Sequence, residues 1–342
     1  TVPSRSSWLA TLATTRAGMT TLIGAKAGPG LATVLVTATV GLAVAGFATP
    51  ALAAPAARQQ VPTAEQQRVR QFEQSLRPAV TVSGQPQPRW SLAQRMAWWQ
   101  VPGVSIAVIR DGRVAWAKGY GVLRAGRPEP VDIDTVFSVG SVSKVGAAAT
   151  VLRLVNAGRL ALDRDVNGYL TRWQVPASPL MAIRPVTLRG LLSHSAGLSV
   201  HGFADFQPDE ALPTTVDILE GRKPAKSEAV RLIYPPGTRW QYSGGGTTVA
   251  QLVIEETTGQ DFATAARDLV LQPLGMTRSS YLNPLPEGHG NIAKAHGPDG
   301  QPRALPRGYE AMPENAASGL WSSPSDYSKL VIALIEAAAG RN

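Results

Sequence analysis

FSVGSVSK, residues 137–144, sets a serine and a lysine three positions apart where the chain passes from strand-like to helical patterning. Val142, Val145, Ala149 and Leu152 then recur at helical spacing. The spacing predicts a helix over Ser141–Asn156 with those four as its apolar stripe and Gly158 just past its end. Residues three apart on a helix share a face, so the Lys144 amine can reach the Ser141 hydroxyl. A serine hydroxyl is a poor nucleophile until a base takes its proton. A lysine can serve when burial or a neighbouring cation lowers its affinity for protons. The helix head also offers backbone N–H groups, that of Ser141 among them, to an oxyanion. Taken alone, S-x-x-K is equally a capped helix with a solvated lysine.

Upstream, VSIAVIRDGRVAWAKGYGV (104–122) reads as two strands joined at Asp111-Gly112, a type I′ hairpin signal. Helices are expected from Thr63 to about Leu76 and from Ser91 to Trp99. Downstream, residues 160–240 read as short helical pieces broken by Pro and Gly, then helices at 247–257 and, capped by Asp261, to Leu271. Ser323-Pro324-Ser325-Asp326 is a helix start, with Tyr327, Leu330, Val331, Leu334 and Ile335 as the apolar stripe that follows.

Further short elements follow in order. They are LRGLLSHSAGL (188–198), Tyr234-Pro235-Pro236-Gly237 ahead of Tyr242-Ser243-Gly244-Gly245-Gly246, Gln272-Pro273-Leu274-Gly275-Met276, and the Gly319–Asp326 box GLWSSPSD. With FSVGSVSK and the hairpin, this set resembles the serine β-lactamase and penicillin-binding protein superfamily, in its class C β-lactamase-like branch of D-alanyl-D-alanine carboxypeptidases and esterases, over about residues 64–339. The resemblance implies an α+β, β-lactamase/transpeptidase-like fold: an antiparallel sheet flanked by helices, a helical region beside it, and the active site between the two. It implies that Ser141 is acylated, that Lys144 shares or shuttles its proton, and that Tyr242 assists proton transfer to the leaving group. His194 matches the family's loop histidine and is expected to bond nearby backbone, and His201 to be a solvated loop residue.

Two departures qualify the match. The substrate-binding position of the Tyr-Ser-Asn element falls on Gly244, so the side-chain amide that would hold the substrate carbonyl and orient the lysine is absent. Some peptidase- and esterase-like relatives share the Tyr-Ser-Gly form, so activity is still expected, with efficient β-lactamase action disfavoured. The family's third motif, Lys-Thr-Gly or His-x-Gly, does not follow the Trp321 box, and His289-Gly290 and His296-Gly297 come too early to supply it. The C-terminal strands are therefore expected to be missing, the chain being an incomplete version of the domain or a naturally short paralogue.

The chain has 342 residues, 44% apolar and 17% charged, enough for a sizeable core, and no cysteine. That excludes disulfides, a thiolate nucleophile, Cys-ligated zinc and Fe–S clusters; with four His and no HExxH spacing a His-rich metal site is not expected, and the resemblance implies neither a metal nor an organic cofactor. The net charge is +9, but the basic residues are scattered without aromatic interleaving, so no nucleic-acid partner is implied. The expected partner is a small-molecule or peptidoglycan-derived peptide substrate, and no stable protein partner is implied. Residues 31–49 carry no charge, Lys26 precedes them, and Ala51-Leu52-Ala53 has the small-x-small form of a cleavage site. Residues 1–53 thus read as a secretory signal, with Met19 a possible start, or alternatively as an anchor spanning 31–49; 54–62 reads as a spacer and 63–342 as the catalytic domain. Together these features predict an exported serine hydrolase acting through a Ser141 ester on D-Ala-D-Ala-type peptides, β-lactams or esters. The rivals are a non-catalytic or slowly acylated penicillin- or peptidoglycan-binding paralogue, and an envelope interaction protein without acyl chemistry.

Overall fold

The computed structural model describes residues 63–341; the apolar run 31–49, the cleavage-site pattern and the 54–62 spacer lie outside the described residues. Two helices open the described chain, α1 (Ala64–Gln74) and α2 (Leu92–Trp99), each started by a reciprocal capping box, Thr63 with Gln66 and Ser91 with Gln94. The antiparallel hairpin β1 (Gly103–Arg110) and β2 (Arg113–Gly121) follows. Asp111 and Gly112 take φ of 52° and 70°, both in the left-handed region that a type I′ turn requires. Strand β3 (Phe137–Ser138) then leads into a 3₁₀ turn at Gly140–Val142 and α3 (Ser143–Asn156).

The helical region holds α4 (Leu188–Leu192), α5 (Thr215–Glu220), α6 (Gly244–Thr258) and α7 (Phe262–Ala266), the last continued by a π-helical turn to Leu271. Short α8 (Asn315–Ser318) precedes β4 (Trp321–Ser322), which pairs antiparallel with β3, and α9 (Pro324–Ala338) closes the chain against β1. Ser323 caps α9 and Pro324 sits at its first position, as the sequence requires. The α+β class that the resemblance implies holds. Among the described residues the strands form two two-stranded sheets, and no helix is long and apolar enough to cross a membrane.

The main core lies where α3, α6 and α7 meet: Val151, Leu154, Val249, Leu252, Val253, Ile254 and Phe262 are all buried in it. α6 is buried from Gly244 to Ile254, its polar Thr247, Thr248 and Gln251 included, and only its last turn reaches the surface. The apolar stripe predicted for α3 is corrected by the structure. Its buried face is Ser143, Gly146, Ala147, Thr150, Val151 and Leu154, whereas Val142, Val145 and Leu152 are exposed. Close approach decides this. A Cβ at Gly146 would meet the Tyr281 hydroxyl at 2.3 Å, so only the small-residue face admits Tyr281. The helix also begins at Ser143 rather than Ser141, which places Ser141 in the tighter turn ahead of it.

Candidate active site

Ser141 is exposed at the head of α3, in the 3₁₀ turn where backbone N–H groups lack partners within the helix. The turn is held from below. The Ser143 hydroxyl donates to the Gly140 carbonyl and accepts from Leu320 N–H at 2.8 Å, and the Tyr281 hydroxyl donates to the Ser143 carbonyl at 2.6 Å. Lys144 returns one turn later, and its Nζ donates to Ser141 Oγ at 3.1 Å and to the Ala317 carbonyl of α8 at 2.7 Å. The third member comes from the loop before α6. The Tyr242 phenol contacts both Lys144 and Ser141, and Lys144 Nζ lies 5.0 Å from its ring centre.

The structure therefore brings Ser141, Lys144 and Tyr242 together, although Tyr242 is a hundred residues from the other two. An ammonium has three protons to donate; here two go to Ser141 and Ala317, with the Tyr242 phenol beside it as the third neighbour. Burial pushes the Tyr242 phenol up, but contact with Lys144 and Ser141 outweighs it, so its affinity for a proton falls below the ordinary phenol value.

Gly244, the residue expected at the substrate-binding position, lines the same cavity and starts α6. It has no room for more. A Cβ there would stand 2.9 Å from the Phe203 ring and 3.1 Å from the His201 carbonyl, because the 199–203 loop passes directly over the helix head. Glycine at this point is thus tied to the loop's path.

His194 adopts the backbone-bonding place expected of it. Its Nδ1 accepts from Ser243 N–H at 3.3 Å and its carbonyl from Gln241 N–H at 2.7 Å, while its ring lies 4.4 Å from that of Tyr242. Accepting at Nδ1 puts the neutral ring's proton on Nε2. Burial, then the charges of Lys144 and His201, hold its pKa below the ordinary histidine value. His201 is more than a loop residue. Though exposed, it lines the cavity with its ring 4.8 Å from that of Tyr242. Its only sequence signal is its place seven residues after His194.

The cavity holding Ser141 has a volume of about 200 Å³; Lys144, His201, Phe203, Gly244 and Glu314 are among its walls. Glu314 was not anticipated from sequence. It lies just ahead of the Gly319–Asp326 box, and folding of α8 carries it to the cavity. A larger cavity of about 620 Å³ beside Gln251 and Glu255 contains none of Ser141, Lys144 and Tyr242. Chemistry, not size, places the site. Among the described residues no cluster of His, Asp or Glu has the arrangement of a metal site.

An α+β chain with a serine, a lysine and a phenol in mutual contact at a helix head has the make-up of an acyl-transfer protein. A family profile described as Beta-lactamase matches residues 91–341, and the chain belongs to that family. It is similar to Esterase EstB of Burkholderia gladioli, 32% identical over 194 residues that cover 54% of this chain and 48% of the relative. It is also similar to penicillin-binding protein 4 of Amycolatopsis lactamdurans, 34% identical over 53% of this chain and 45% of the relative. Among solved structures, the octameric penicillin-binding protein homologue from Pyrococcus abyssi superposes with a TM-score of 0.55 at 27% identity, covering 72% of this chain and 55% of that one. The chain spans about half the length of these curated relatives. The likeness supports the β-lactamase/transpeptidase-like fold and a serine hydrolase in general terms.

Proposed function

We propose that this protein is an exported serine hydrolase that forms an acyl-enzyme on Ser141, with D-Ala-D-Ala-type peptides, β-lactams or esters as its substrate classes. The carrying observation is the contact of Lys144 Nζ with Ser141 Oγ at 3.1 Å under the Tyr242 phenol. The lowered proton affinity of Tyr242 favours the phenolate as the base, with Lys144 balancing its charge. Ser141 Oγ attacks the substrate carbonyl while its proton passes to Tyr242, and the oxyanion so formed faces the Ser141 N–H. Collapse expels the leaving group, which takes that proton, and leaves the Ser141 ester. Water then attacks the ester, gives a proton to Tyr242 and releases the acid, and Oγ recovers its proton.

Gly244 leaves the site without the amide that would clamp a lactam carbonyl, which favours esters over β-lactams as good substrates. The test is a fluorophosphonate probe and a chromogenic ester, each beside a Ser141→Ala control. Labelling at Ser141 with steady ester turnover is the expected result. Stoichiometric labelling without turnover would replace the enzyme by a slowly acylated binding protein, and no labelling of the folded protein would refute the acyl chemistry.

A further inference from the structure

The cavity that opens on Ser141 is acidic at its far wall. Glu314 is 2% exposed, and its Oε2 is buried without a hydrogen-bond partner among the described residues. Glu314 stands at the N-cap of α8, yet its side chain caps nothing there. Its backbone carbonyl holds the helix, accepting from Ala317 and Ser318 N–H at 2.9 Å each. The carboxyl's local partner is its own backbone N–H, which leaves Oε2 unpaired. Asp205 lines the same cavity, close enough for each carboxylate to repel the other's charge.

The cations nearby are already engaged. Lys226 Nζ donates to Glu210 Oε2 at 2.6 Å and to the Asp205 backbone carbonyl at 2.8 Å, and Arg303 pairs with Glu310. Lys144 is held by Ser141 and Ala317, beside the Tyr242 ring. His201, on the other wall, is the remaining titratable group of the cavity. Two carboxyls thus share a small space with the nucleophile: Asp205 bonds to the Glu310 carboxyl, Lys226 and Arg303 act on them only while paired elsewhere, and the buried Glu314 Oε2 has no hydrogen-bond partner. Burying a carboxylate unpaired is costly, and its natural complement is a ligand's cation.

Resting on the acyl-transfer reading of Ser141, we propose that Glu314 and Asp205 form a cation-recognising subsite that selects substrates bearing a protonated amine near the scissile carbonyl. Phe203, Ala204 and Met312 on the same walls accommodate the alkyl part between amine and carbonyl. Burial first, opposed by its own backbone N–H, then repulsion from Asp205, opposed by Lys226, set the Glu314 carboxyl at about 7. Partial desolvation first, then contact with Glu310, raise Asp205 to about 6, against Arg303 and Lys226. The preference for an ammonium is accordingly strongest above pH 7 and fades as both carboxyls take up protons.

The test compares methyl esters of straight-chain ω-amino acids, with two to five methylenes between carbonyl and ammonium, with isosteres in which methyl replaces ammonium. At one chain length the ammonium ester should have the larger kcat/KM by about tenfold or more at pH 8, the scale of one charge-assisted hydrogen bond. That ratio should shrink between pH 8 and pH 6, and should approach one in Glu314→Gln and fall in Asp205→Asn. A ratio of one or less at every length, or one unchanged in both variants, overturns the subsite. Where neither ester series turns over, the hydrolase reading itself fails, and calorimetry with n-butylammonium chloride at pH 8 decides the subsite separately. Saturable binding lost in Glu314→Gln upholds it, and heats no larger than those of sodium chloride overturn it.

Discussion

Replacing Gly146 by alanine should destabilise the protein through one atom pair. The new Cβ would stand 2.3 Å from the Tyr281 hydroxyl oxygen, whereas the ring carbon behind that oxygen lies at an ordinary 3.4 Å. Tyr281 is 1% exposed and packs edge-on against Phe262 at 4.9 Å, so its ring cannot swing aside freely. Relief means moving the ring by about 1 Å, an overpacking cost of about 1–3 kcal/mol. It also breaks the 2.6 Å bond from the hydroxyl to the Ser143 carbonyl, which leaves buried polar groups unpaired for about 1–3 kcal/mol more. Alanine's better helix propensity returns about 1 kcal/mol. The net expectation for Gly146→Ala is a loss of about 1–5 kcal/mol, read as a lower urea midpoint at constant slope. Tyr281→Phe alone should lose about 1–2 kcal/mol, from the missing hydrogen bond. The double variant should be close to Tyr281→Phe, because the clashing oxygen is gone, giving a coupling above about 1 kcal/mol. A Gly146→Ala protein within about 0.5 kcal/mol of wild type, or strict additivity of the two changes, would refute this account of the α3 face.

Glu314→Gln should also change stability with pH. A carboxyl raised to about 7 in the folded state from 4.5 keeps its full stabilising effect below pH 4.5 and loses it as pH rises through 7, so the variant should gain on wild type by as much as about 3 kcal/mol at pH 8 and show a shallower slope in thermal melts from pH 4 to 8, the remainder being that of Asp205. Tyr242→Phe should lower ester kcat/KM by about 10²–10⁴-fold and remove the rise of kcat/KM with pH that, in wild type, follows a phenol titrating below its ordinary value.

The features legible in the sequence were those written at short range. Asp111-Gly112 forces its hairpin through backbone conformation alone, Ser323-Pro324 and Asp261 start their helices by capping, and Ser141 and Lys144 meet because three residues make nearly one helical turn. The face that α3 buries was not legible, because hydrophobicity pointed to Val142, Val145 and Leu152. The packing instead needed the small side chains of Gly146 and Ala147, a requirement imposed by Tyr281 from more than a hundred residues away. Glu314 and His201 escaped for the same reason. Neither stands in a local pattern, and each acquires its meaning from what the fold sets opposite it.

The same long-range dependence shapes the chemistry. The three groups around Lys144 come from separate pieces of chain: the turn before α3, the carbonyl of Ala317 in α8, and the loop leading into α6. Buried Gln251 of α6 joins the last two, its Oε1 accepting from Ala316 N–H at 3.0 Å, one residue before the carbonyl that holds Lys144. α6 thus fixes both the phenol and, through α8, the lysine. The hairpin contributes to none of these contacts. Geometry at Ser141 therefore depends on the packing of α3, α6 and α8, and a change in that helical core should disturb the nucleophile more than an equal change in β1 or β2.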